Sequence, residues 1–169
     1  MSRQAWGEGI FWVTAPETPV VNSVAETRLY SDVVIPAGYM SDGRILRLKV
    51  QGSIKSTVAS TMKLTLKLDT AILAAATAQP TPASPLVKCW SAEFIVQTLS
   101  NGRNGTLLAF GDAAIALDRQ VFSKVGSVDP ASVTKDLLVE TVLGVFATWG
   151  NADAGNSILG MTYILESLN

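Results

Sequence analysis

The chain has 169 residues, 48% hydrophobic and 16% charged, with 13 basic and 14 acidic side chains, one cysteine and no histidine. Without histidine, histidine-based triads and acid–base pairs and the common zinc, copper and haem ligand sets are excluded, and the single Cys89 forms no intrachain disulfide. The net charge of -1 gives no electrostatic reason to expect nucleic acid or an anionic membrane as partner.

The length suits one domain whose hydrophobic core stands without disulfide or metal staples. The charged share lies below the ~25% usual for soluble domains, so part of the surface is expected to meet protein instead of water. No apolar run approaches the ~18 residues of a membrane span, and the start of the chain lacks a basic region followed by an apolar stretch. Neither a membrane segment nor a secretion signal is expected.

Residues 1–19 combine the breakers Gly7, Gly9, Pro16 and Pro19 with Trp6, Ile10, Phe11 and Trp12. This predicts an extended N-terminal arm, with a domain over residues 20–169. Aromatics favour cores and interfaces alike, so the four apolar side chains either fold back onto the domain or bury in a partner; they are the candidate partner interface. Fully extended, the arm reaches about 60 Å, against a radius of gyration of about 15 Å for the remaining domain, so it can cross to a neighbouring subunit.

Residues 29–35 read as a strand that ends at Pro36-Ala37-Gly38. In Leu46, Leu48 and Val50 apolar side chains alternate with Arg47, Lys49 and Gln51, and Leu64, Leu66 and Leu68 alternate with Lys63, Thr65 and Lys67. Period two of this kind predicts strands with one wet face. Residues 79–85 hold three prolines, which lack the ladder donor, so a loop or a sheet-edge crossing is expected.

Trp90, Ala92, Phe94 and Val96 alternate with Ser91, Glu93 and Gln97, and Trp90 is expected to anchor the core. The run Ser100-Asn101-Gly102-Arg103-Asn104-Gly105 accepts positive φ, so residues 90–99 and 106–110 are predicted to pair as a hairpin. Residues 71–78, 113–122 and 135–149 fit a helix nearly as well as a strand and are taken as strands on context. Residues 157–165 close the domain as a further strand. The expected fold is all-β, an antiparallel two-sheet jelly-roll-like sandwich that buries Leu46, Leu48, Leu64, Leu66, Trp90 and Phe94.

Candidates for chemistry are few. A glycosidase needs two carboxylates, but Glu93, Asp69 and Asp32 fall on or beside polar strand faces and read as solvated charges. Gly150-Asn151-Ala152-Asp153-Ala154-Gly155-Asn156 offers oxygen ligands without the bidentate glutamate of a calcium loop, and reads as a polar turn. Cys89 lies beside Lys88, which can lower a thiol pKa, yet a lone cysteine before a core strand is read as packing. No catalytic residue, metal or cofactor is expected, and the chain is read as a binding protein and not an enzyme.

The order of motifs resembles a family of small jelly-roll proteins of tailed bacteriophage particles, described as head decoration, cement or fibre proteins. The resemblance covers residues 18–168. It rests on Glu26-Thr27-Arg28-Leu29-Tyr30-Ser31 leading into Ile35-Pro36-Ala37-Gly38, then on Asp42-Gly43-Arg44-Ile45-Leu46 followed by Gly52-Ser53. Leu64-Thr65-Leu66-Lys67-Leu68, Trp90 before the glycine-rich hairpin, Trp149, Asn156-Ser157-Ile158 and a final Leu165-Glu166 complete it.

The resemblance implies a two-sheet jelly roll, assembled as a homotrimer on the outer surface of an icosahedral capsid, with the major capsid protein and sister copies as partners. It implies a structural role in the virion, bridging neighbouring capsid subunits. Residues 1–17 have no counterpart in the family, so anchoring by Trp6, Ile10, Phe11 and Trp12 is an expectation from composition. The alternative is a tail-fibre or spike domain that recognises host surface glycan, for which Tyr39, Tyr163 or Trp149 would cluster at a domain tip.

Overall fold

A computed structural model describes residues 8–13, 17–75, 78–81, 83–116, 122–124 and 132–168. Its regular elements are all strands: β1 Glu8–Val13, β2 Val20–Val21, β3 Thr27–Arg28, β4 Val33–Ile35, β5 Ile45–Ser56, β6 Ser60–Leu68, β7 Ala71–Ala75, β8 Gln79–Thr81, β9 Ser84–Ser100, β10 Gly105–Ala116, β11 Phe122–Lys124, β12 Val133–Lys135, β13 Thr141–Trp149 and β14 Ser157–Ser167. Every pairing is antiparallel.

One sheet runs β1-β14-β5-β9-β10-β11, with β2 also on β14 and β12 also on β10; the other runs β3-β13-β6-β7, with β4 on β13 and β8 on β6. Consecutive strands β5 and β6 enter different sheets, as do β13 and β14. Because β14 pairs β5 while β13 pairs β6, one two-strand ribbon lies along the other through both layers, which is the jelly-roll connection of a sandwich.

The core follows from period two. Leu46, Leu48, Val50 and Ile54 of β5, Trp90, Ala92, Phe94 and Val96 of β9, Leu64, Leu66 and Leu68 of β6, and Leu143, Val145, Ala147 and Trp149 of β13 are all buried between the sheets. The predicted hairpin is present and longer than expected, with β9 and β10 paired from Trp90↔Ile115 to Ser100↔Thr106. Gly102 takes φ +111 in its turn, and the Asp42 carboxylate accepts the Asn101 N–H at 2.6 Å.

Of the three stretches that fit helix and strand alike, 71–78 contributes β7, 113–122 the end of β10 and the first residue of β11, and 135–149 the last residue of β12 and all of β13, with a loop over residues 136–140 between them; residues 76–77 and 117–121 lie outside the described set. The proline-containing β8 pairs β6 at the sheet edge, Pro80 opposite Thr61, where a missing N–H costs least.

Two expectations are corrected. Residues 29–35 are not one strand: β3 and β4 flank a bend that buries both Leu29 and Tyr30. A continuous strand would point these neighbours to opposite faces and leave one wet. Cys89 is not packed inside; it is exposed, because Trp90 takes the inward position and its neighbour must then face out.

Around Tyr30 the eight-stranded sheet is locked. In β14 the register slips between Gly160↔Gly52 and Thr162↔Gln51, leaving Met161 as a bulge residue. Trp90 stands directly opposite Gly52, and its indole N–H reaches across to the Leu159 carbonyl at 3.1 Å. The Tyr30 hydroxyl donates to the Gln51 carbonyl at 2.7 Å, and its ring meets Tyr163 edge-on at 5.1 Å. Burial pushes both phenols well above their ordinary pKa, with the Gln51 and Met161 hydrogen bonds opposing the shift at Tyr30. A Cβ at Gly52 would overlap the Leu159 carbonyl oxygen, and one at Gly160 would press on the Tyr30 ring.

Gly52→Ala is therefore expected to cost about 2 kcal/mol or more, since the indole, the bulge and β5 cannot all hold position around an added methyl. Ser53→Ala, one residue along on the wetter face, is expected to stay within ~0.5 kcal/mol. Urea unfolding of the two variants measures the difference.

Candidate functional site

Of the four candidate interface residues, Trp6 lies outside the described residues, and Ile10 and Trp12 are placed by backbone only, on β1. Phe11 is half-buried and stands edge-on to Tyr163, ring centroids 5.8 Å apart, so it fills the border of the domain's own core. The strand carrying it pairs with residues 163–167 of β14. Among the described residues β1 is an edge of the eight-stranded sheet, and its outward N–H and C=O groups form a template for an added strand.

The structure separates the three acids that the sequence singles out. Asp32 pairs with Arg28. Asp69, at the β6–β7 turn with φ 51, accepts the Val142 N–H at 2.8 Å and pairs with Lys135 at 2.7 Å. Partial burial alone would raise its pKa, but these hydrogen bonds and the Lys135 charge outweigh it and hold the carboxyl below its ordinary value. Glu93 is exposed on the outer face of β9, directly between Lys49 and Asp112 on the flanking strands.

The polar turn after β13 is satisfied internally. The Asp153 carboxylate accepts the Thr57 hydroxyl and the Gly155 N–H, and buried Asn156 accepts the Thr57 N–H. Among the described residues no group of three acidic or thiol side chains is placed to hold a metal ion. The aromatic tip that would mark glycan recognition is not assembled, because Trp149 and Tyr163 are buried.

The two outer sheet faces differ. On the six-stranded sheet Phe146 is flanked by the cations of Arg28 and Lys67, 5.0 and 5.1 Å from its centroid, which are themselves paired with Asp32 and Glu26. The eight-stranded sheet instead carries a trough of about 870 Å³ across β14, β5, β9 and β10. Lys49, Gln51, Glu93 and Asp112 line it, together with Ile95 and Phe110, the last 42% exposed.

A second surface was hidden in the proline-containing stretch. Between the pairs Ile54↔Lys88 and Ser56↔Ser84, Pro85, Leu86 and Val87 stand opposite the single Lys55, a three-against-one bulge. It turns Leu86 and Val87 into solvent at 62% and 65% exposure, the highest among the large apolar side chains described. The sequence signal was an apolar pair directly after Pro85, where no strand alternation gives it an inward face.

No protein-family model and no curated protein sequence matches the chain. The sandwich, its edge strand, the apolar bulge and the trough therefore carry the functional argument.

The Asp69 clamp gives a pH signature. Its carboxyl ionises more readily folded than unfolded, so the pair stabilises the fold above the ordinary value of 3.8, and this contribution drains away as pH falls through the lowered folded value. Asp69→Asn keeps an acceptor for Val142 and a residue tolerant of positive φ. The variant is expected to melt below wild type at pH 7 and to converge with it near pH 2 in thermal scans.

Proposed function

We propose that this protein is a structural decoration subunit of a tailed-phage virion, bound to the outside of the capsid and bridging neighbouring major capsid subunits. The observation that carries this reading is the placement of an open strand edge and an exposed apolar bulge at opposite ends of one sheet. The β1 edge lies along residues 163–167 of β14, whereas the Leu86–Val87 bulge lies beside Ile54, whose partner on β14 is Ile158. At about 3.3 Å per residue the two are roughly 20 Å apart along the strand direction. A clamp across a subunit boundary needs two such separated contacts.

The ordered motifs shared with the phage jelly-roll proteins support the same reading. Each contact contributes through desolvation: covering Leu86 or Val87 is worth up to about 1.5–3 kcal/mol per side chain. Trp6, Ile10 and Trp12, with β1, supply the second contact, and three copies around one axis gain from effective concentration once the first has bound. A ligand of the assembled shell that ignores its dissociated parts stabilises the shell by about 2.7 kcal/mol per site at a hundredfold excess over Kd. Host-glycan recognition by a tail fibre or spike is the weaker reading, since Trp149 and Tyr163 are committed to the core.

Capsids assembled without this subunit are expected to take it up to saturation in a sedimentation assay run in parallel with host cell envelopes. Replacing Leu86 and Val87 together by aspartate is expected to lower uptake at least tenfold with an unchanged melting temperature. Uptake by envelopes alone would overturn the proposal. Light scattering is expected to give three times the chain mass of 17.9 kDa.

A further inference from the structure

The trough on the eight-stranded sheet is not explained by shell docking. Its side chains stand in cross-strand rows fixed by the register. One row is Ile164, Lys49, Glu93 and Asp112; the next toward the β9–β10 turn brings Ile95 beside Phe110. Like charges directly opposite each other cost stability, so the Glu93–Asp112 neighbours form a pair of acceptors that a ligand with donors relieves. Lys49 supplies donors on the other side of Glu93, and Gln51 stands on the adjoining row. The exposed Phe110 ring and Ile95 give an apolar floor next to these polar groups.

We propose that this trough is a binding site for an uncharged oligosaccharide. Sugar hydroxyls both donate and accept, matching carboxylates and an ammonium set side by side, and the C–H face of a sugar ring packs on an aromatic or aliphatic floor. The trough crosses four strands, about 14 Å at ~4.8 Å per gap, which is room for a short saccharide chain.

Other occupants fit less well. An extended peptide is held by main-chain bonds at a sheet edge, and the face of β14, β5, β9 and β10 offers side chains only. Nucleic acid and anionic glycans meet two carboxylates against one ammonium. A metal ion finds two carboxylates with Lys49 beside them, short of a ligand set.

This inference is independent of shell docking, because the Leu86–Val87 bulge takes no part in the trough. The test uses the full chain with malto-, cello-, chito- and manno-oligosaccharides and with a printed array of neutral bacterial surface polysaccharides, read by saturation-transfer NMR and array fluorescence. At least one series is expected to bind at millimolar concentration or below. Phe110→Ala and Asp112→Ala are each expected to weaken it tenfold or more at an unchanged melting temperature, and the aspartate substitutions at Leu86 and Val87 to leave it unaltered. The absence of binding to every neutral series, binding confined to sulfated or phosphorylated glycans, or binding unchanged in the Phe110→Ala, Asp112→Ala double variant would each overturn the site.

Discussion

The Trp90 indole lies across a gap in β5 to reach the Leu159 carbonyl on β14, and the rest of the sandwich is arranged around that reach. The gap exists because residue 52 has no side chain. The carbonyl is available because β14 bulges at Met161, and the pleat left at Gly160 admits the Tyr30 ring. Tyr30 in turn ties the bend between β3 and β4 to the eight-stranded sheet through Gln51. One indole hydrogen bond thus couples β9, β5 and β14 within a sheet, and the Tyr30 stack couples the two sheets.

With the interior locked in this way, the two outer faces are left to differ. The face of the six-stranded sheet is closed by cations over Phe146 that are neutralised by acids. The eight-stranded sheet keeps an open trough, and its perimeter keeps an edge strand and an apolar bulge. A bulge in β9 costs ladder bonds and wets Leu86 and Val87, so in an isolated domain it is a net loss. In an assembly the same two side chains become the groups that water is removed from.

The two proposals place different chemistry on different parts of one scaffold. Desolvation at the bulge and strand addition at β1 suit a protein shell, where contacts are permanent and broad. Hydrogen-bonding rows beside Phe110 suit a hydrophilic ligand met from solution. A subunit held on a particle by its ends presents whatever lies on its free sheet face, and repetition over many copies would raise the avidity of even a weak site.

Strand positions were legible in the sequence because period two is a local signal: Leu46, Leu48 and Val50, Leu64 to Leu68, and Trp90 to Val96 each declare one buried face. The hairpin was legible from Gly102 and its neighbours, since positive φ is a local demand. Composition alone removed histidine chemistry. Tertiary structure decided what depends on partners distant in the chain. The bend at Leu29 and Tyr30 follows from a pocket made by Gln51, Trp90 and Tyr163. Glu93, read as a solvated charge, acquires Lys49 and Asp112 as neighbours only through the register of β5, β9 and β10. Leu86 and Val87 face solvent because β5 offers one residue where β9 has three. Alternation is written within a strand, whereas register is set between strands, and the surfaces proposed to bind are properties of register.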